Sequence, residues 1–140
     1  MSQNAYFESQ VYTADPVVLV TMLYRGAIDS IESARQRLAE GDIAGRSMEI
    51  ARAADILAEL TESLDLRAGG EVARNLQELY AYILHRLQDG NFHQTQEPFA
   101  EAIQLLSTLL DGWEQIAAQN RSERQFVTDE EHYQPLQCSF

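Results

Sequence analysis

From Phe99 onward the apolar residues keep one spacing. Phe99, Ile103, Leu106, Leu110, Trp113 and Ala117 stand alternately four and three residues apart. That interval lays side chains along one face of an α-helix, and a strand cannot bring it to one side. A second set, Ala102, Leu105, Leu109 and Ile116, lies roughly 60–100° further round the axis at ~100° per residue. Pro98 is tolerated only in a first helical turn, so this helix is predicted to begin between Gln96 and Pro98 and to run to about residue 118.

The same interval recurs three times upstream. Val20, Tyr24, Ala27, Ile31, Ala34 and Leu38 form one stripe, widened near its start by Leu19, Met22 and Leu23. It predicts a helix over Pro16–Glu40. Asp15 serves as N-cap, Pro16 occupies the position where a missing N–H costs nothing, and Gly41 is the stop. Asp42 then caps a second helix, predicted over Ile43–Leu64, with Ile50, Ala54, Leu57 and Leu64 on one stripe and Ala53, Ile56 and Leu60 on an adjacent one. Gly69-Gly70 marks a turn. A third helix is predicted over Glu71–Gln88. Its main stripe is Val72, Leu76, Leu79, Ile83 and Leu87, with Tyr80 and Leu84 on the flank, Tyr82 off it and Gly90-Asn91 at its end.

Four helices of about 20 residues joined by short connections predict antiparallel neighbours: an all-α, up-down four-helix bundle. With 140 residues and 45% apolar content the chain can bury one core. Three segments follow: a lead-in over 1–15, the bundle over 16–118, and a polar stretch over 119–140 without sustained period. That stretch reads as an idle tail, a second cover for a groove, or a docking peptide.

The lead-in carries Tyr6, Phe7, Val11 and Tyr12 at no helical spacing. Helices two to four carry apolar faces wider than a bundle helix requires. Flanking core positions would account for the excess. So would a groove that takes another chain's amphipathic segments, covered by the lead-in when empty. On the groove reading the partner-binding residues are Tyr6 and Val11 on the lid, with Ile56, Leu60, Tyr80, Ile83 and Leu84 around the groove.

Charge and chemistry narrow the function. The net charge is −12, with ten cations that are all arginine. Such a chain repels phosphate backbones and anionic lipid, so neither nucleic acid nor membrane insertion is expected. No apolar run approaches the ~18–20 residues that span a bilayer. MSQNAYFESQ has neither the basic nor the apolar region of a secretory signal, and a cytoplasmic protein is expected. The single Cys138 rules out an internal disulfide and a cysteine-based zinc site. His85, His93 and His132 form no Glu-x-x-His pair of the di-metal bundle type. There is no nucleophile elbow, phosphate-cradling glycine loop or HExxH. The expectation is a non-enzymatic protein with no cofactor and no metal.

The ordered motifs resemble the flagellar secretion chaperones, the family that escorts flagellin. They are Ala5-Tyr6, Gln10-Val11, Thr13-Ala14-Asp15-Pro16, Leu19, Met22-Leu23-Tyr24 and Gly26-Ala27-Ile28, then Gly69 through Leu76, Leu79 through Leu87, and Leu109-Leu110-Asp111-Gly112-Trp113. Asp15 stands where serine or threonine is usual in that family, and Arg25 where aspartate is usual. The resemblance covers about residues 5–118. It implies a helical bundle that binds the disordered C-terminal segment of flagellin, prevents premature polymerisation and presents the cargo to the flagellar export gate. It also implies that the segment carrying Tyr6 packs over the apolar surface and moves when cargo arrives. An anti-sigma factor is a further partner that the resemblance raises. The alternative is a helical adaptor that reads a regulatory protein in flagellar gene control.

Overall fold

The computed structural model describes residues 15–130. Four α-helices follow one another: α1 (Pro16–Glu40), α2 (Ile43–Glu62), α3 (Leu66–His93) and α4 (Glu97–Glu130). Each packs against the next and α4 returns to α1, closing a ring of four around one core. This is the expected all-α bundle, and no strand occurs among the described residues. The centre is filled by Tyr24 and Ile31 of α1, Leu57 and Leu60 of α2, Ile83 and Leu87 of α3, and Phe99 and Leu106 of α4, all fully buried. Each such side chain stabilises the fold by roughly 1.5–3 kcal/mol before ordering costs.

The α1 boundaries are those the sequence predicts, and so is their chemistry. Asp15 Oδ1 accepts from the Val17 N–H at 2.7 Å, with Pro16 at the first helical position. Gly41 closes the helix in the left-handed conformation at φ 76°. Asp42 caps α2 by accepting from the Gly45 N–H at 2.9 Å.

α4 begins at Glu97, within the expected Gln96–Pro98. The remaining ends differ from expectation, each for a local reason. α2 stops at Glu62 rather than Leu64. The Ser63 hydroxyl donates to the Leu60 carbonyl at 2.7 Å, and the Leu64 N–H turns to Thr61 at 3.2 Å, tightening the last turn. α3 starts at Leu66 rather than Glu71 because Asp65 caps it, accepting from the Arg67 and Ala68 N–H groups at 3.1 and 3.0 Å. The turn expected at Gly69-Gly70 survives as a bend within α3. Gly70 sits at φ 57°, ψ −130°, where a side chain would be strained. Gly90 does not end α3, which continues to His93 and a left-handed cap at Gln94. Its lack of a side chain serves packing instead: a Cβ there would stand 2.8 Å from Phe99 Cε1. α4 runs on to Glu130, past residue 118. No glycine or proline interrupts residues 119–130, and a helix already nucleated propagates without an apolar stripe.

Candidate binding cleft

The buried stripes show what each wide face does. On α2 the buried positions are Arg46, Ile50, Ala53, Leu57 and Leu60. This single 4-3-4-3 line takes members from both predicted stripes. On α3 they are Ala73, Tyr80, Ile83, Leu87 and Gly90, so Tyr80 is central rather than flanking. Val72, predicted on the main stripe, is 68% exposed.

That exposure marks one end of the bundle. An apolar cleft of ≈ 260 Å³ opens where the last turn of α2 meets the first turns of α3. Leu60 and Leu64 of α2 form one side, Val72, Ala73, Leu76 and Tyr80 of α3 another, and Val20 of α1 with Trp113 of α4 close it. Gly69 adds no side chain to the wall, and Gly70 turns the first residues of α3 away from the rest. Sequence geometry therefore builds the opening: a serine-closed helix end, an aspartate cap and a two-glycine bend, each removing bulk from one corner.

Beneath the cleft lies a polar pair. The Tyr24 and Tyr80 hydroxyls are hydrogen-bonded at 2.6 Å, with their rings edge to face at 6.2 Å. Trp113 lies against Tyr24 at 6.4 Å between ring centroids. Burial pushes the Tyr24 hydroxyl above the ordinary tyrosine value of 10.0, while the hydrogen bond with Tyr80 pulls the other way. Burial pushes Tyr80 up strongly, and its bond to Tyr24 adds to the shift. Both hydroxyls thus stay neutral and paired across physiological pH. Nothing here amounts to an acid–base couple, since neither group exchanges protons near neutrality.

The far end of the bundle holds a residue the sequence reading missed. Arg46 is 4% exposed and donates from Nε to Asn91 Oδ1 at 2.7 Å, with a longer bond from its Nη2 to the Asn91 carbonyl at 3.4 Å. It clamps the first turn of α2 to the last of α3. Its register with Ile50, Ala53, Leu57 and Leu60 is the signal that would have found it. Among the described residues no group of three or more His, Cys, Asp or Glu side chains is placed to hold a metal. No helix there is long and apolar enough to cross a membrane.

The sequence profile described as flagellar protein FliS matches residues 1–120. The chain belongs to the FliS family. Among similar FliS proteins, the flagellar secretion chaperone FliS of Salmonella typhimurium is 36% identical over 111 residues, 79% of this chain and 82% of the relative. The flagellar secretion chaperone FliSB of Pseudomonas aeruginosa is 32% identical over 115 residues, 82% and 91% of the two chains. The flagellar secretion chaperone FliS of Campylobacter jejuni is 30% identical over 116 residues, 83% and 91%. The resemblance noted from motifs is thus a family relationship, and the relatives are chaperones of flagellar secretion.

Within this FliS-family fold the candidate groove residues divide. Leu60 and Tyr80 line the cleft, almost wholly buried at its floor. Ile83 is fully buried in the core and is not among the cleft's lining residues. Ile56 and Leu84 are partly buried against the core, away from the cleft. Ile56 Cδ1 fills the space at Gly26, where a Cβ would stand 3.2 Å from it, so it packs α1 to α2. Tyr6 and Val11 lie outside the described residues. The apolar positions that sequence reasoning left out of the groove are Val20, Leu64, Val72, Ala73, Leu76 and Trp113. Their signal was the break in the α2–α3 connection rather than any stripe.

Proposed function

We propose that this chain is a cytoplasmic, non-catalytic export chaperone for flagellin. It binds the disordered C-terminal segment of the subunit, prevents premature polymerisation and delivers the cargo to the flagellar export apparatus. The apolar cleft between the end of α2 and the start of α3 supports this reading, together with membership of a family whose relatives are named flagellar secretion chaperones. A cleft of ≈ 260 Å³ is below the ~300–1,000 Å³ usual for small-molecule sites. It suits about one or two leucine-sized anchors from an amphipathic segment, each contributing roughly 1.5–3 kcal/mol gross. A disordered cargo must order on binding, which offsets much of that gain and keeps net affinity modest enough for release.

The segment before Asp15 is the cover in this proposal. Tyr6 precedes Asp15 by nine residues, a reach of about 30 Å when extended. Val20, on the cleft wall, lies only about 7.5 Å along α1 from Asp15. Tyr6 and Val11 therefore have the reach to cover Leu60 and Tyr80 and to leave when cargo binds. The firm Asp15-Pro16 cap lets them do so without unwinding α1.

Calorimetric titration with a synthetic flagellin C-terminal segment tests the function. Binding with a large negative heat-capacity change is expected, as for coupled folding over apolar surface. No heat and no co-elution would refute the cargo, and co-purification of a soluble regulator, such as an anti-sigma factor, would favour the adaptor.

A further inference from the structure

Three of the bundle's four seams are closed by a short connection: α1–α2, α2–α3 and α3–α4. The seam between α1 and α4 has none, so nothing in the chain's connectivity sets how those helices stand along one another. Two ion pairs cross it. Arg25 of α1 pairs with Glu114 of α4, and Asp15, the cap of α1, pairs with Arg124 of α4. Asp15 divides its labour, with Oδ1 capping Val17 and Oδ2 meeting Arg124.

The spacing of the pairs is the informative part. Asp15 and Arg25 are ten residues apart, and so are Glu114 and Arg124. Each interval is about 15 Å of helix. The two rungs have opposite polarity: acid to base at one end, base to acid at the other. Both close together only in one antiparallel register, and a slip of one turn, ~5.4 Å, breaks both at once. Charge thereby specifies register at this end of the seam, as it does in coiled-coil pairing, while Arg35 and Gln96 exchange two hydrogen bonds at the other.

We propose that this ladder is a charge latch. It holds the loop-free seam in register, and its release lets the α1 and α4 walls of the cleft part. Those walls are Val20, between Asp15 and Arg25, and Trp113, beside Glu114. Arg25, Glu114 and Arg124 have side chains 51%, 41% and 58% exposed against 10% for Asp15, so salt reaches at least one partner of each rung, while the Tyr24–Tyr80 bond beneath stays buried. The device belongs to the fold and does not depend on which partner enters the cleft.

Amide exchange followed by mass spectrometry on the full chain tests it without any ligand. Salt is raised from about 0.01 M, where the screening length is ~30 Å, to 1 M, where it is ~3 Å. Amides of residues 17–24 and 113–124 should exchange roughly fivefold faster at high salt, while those of α2 stay unchanged. The neutral Arg25→Gln/Arg124→Gln variant should exchange fast in these stretches at both salts. Glu114→Arg should do the same at low salt, and the swap Arg25→Glu/Glu114→Arg should restore protection. If Glu114→Arg does not fold, the neutral variant decides. Exchange that ignores salt, that rises equally in all helices, or that is not slowed again by the swap overturns the latch.

Discussion

The Tyr24–Tyr80 hydroxyl pair makes a quantitative prediction, because each side chain strands the other when removed alone. Tyr80→Phe keeps the ring, its edge-to-face contact at 6.2 Å and the volume of the floor. What goes is one buried hydroxyl with a 2.6 Å bond. A net hydrogen bond stabilises by about 0.5–1.5 kcal/mol, and a hydroxyl left unpaired in a buried site costs about 1–3 kcal/mol. The loss should therefore fall near ~1–2 kcal/mol. Tyr24→Phe should cost a similar amount, since it leaves the Tyr80 hydroxyl without its partner. The double Phe variant strands no tyrosine hydroxyl and should lose only about 0.5–1 kcal/mol. The coupling between the two sites is then ~1–2 kcal/mol or more. At ~3–5 °C per kcal/mol for a chain of this length, Tyr80→Phe should melt about 3–10 °C lower, with the double variant above both singles. Urea unfolding by circular dichroism measures all four proteins, with equal slopes as the check on comparable states. Losses that simply add in the double variant would refute the reasoning and mean that the hydroxyls are solvated independently.

The same pair sets an alkaline limit. Both values are raised in the folded state above the unfolded 10.0, so their contribution is complete below pH 10 and is lost as pH rises from there through the folded values. Urea midpoints above pH 10 should therefore fall less steeply in the double Phe variant. Gly90→Ala would drive a Cβ to 2.8 Å from Phe99 and should cost about 1–3 kcal/mol. Gly112→Ala on α4, with nothing within 4 Å, should instead stabilise by ~0.5–1 kcal/mol, so the two melting shifts should have opposite signs. Arg46→Met keeps the apolar stem but drops both bonds to Asn91, with an expected loss of ~1–3 kcal/mol in urea. Val72→Asp, on the exposed cleft rim, should leave stability within ~0.5 kcal/mol yet weaken binding of the flagellin C-terminal segment about tenfold. Unchanged binding in that variant would place the cargo elsewhere.

The bundle was legible because its signal is periodic and repeated. Every helix shows at least one line of apolar residues at helical spacing. Of the six boundaries predicted at a single residue, Pro16, Glu40 and Ile43 were legible in Asp15-Pro16, Gly41 and Asp42, and Pro98 placed the start of α4 to within a residue. Gly90 misled because a glycine that opens space for Phe99 looks the same in sequence as one that ends a helix. The cleft was less legible for a related reason. Periodicity tells which way a side chain faces but not whether a neighbouring helix reaches that level. Val72 keeps the period of the α3 core, yet it stands on the cleft rim, where the other described residues leave it 68% exposed. Ile83, about three turns further along, is fully buried in the core. Arg46 escaped because the stripes were drawn through apolar residues alone, although its position continues the α2 stripe by a whole turn.

Trp113 has one more consequence. It is the chain's single tryptophan, it lies on the cleft wall, and its ring is tilted at 49° to that of Tyr24. The indole emission of the whole protein therefore originates at the one place where a cover or a cargo segment would exclude water. The molecule carries its own optical probe. A blue shift or loss of quenching by a soluble iodide salt would report occupancy without any label, and deletion of residues 1–14 would show whether the empty cleft is dry because its own chain fills it.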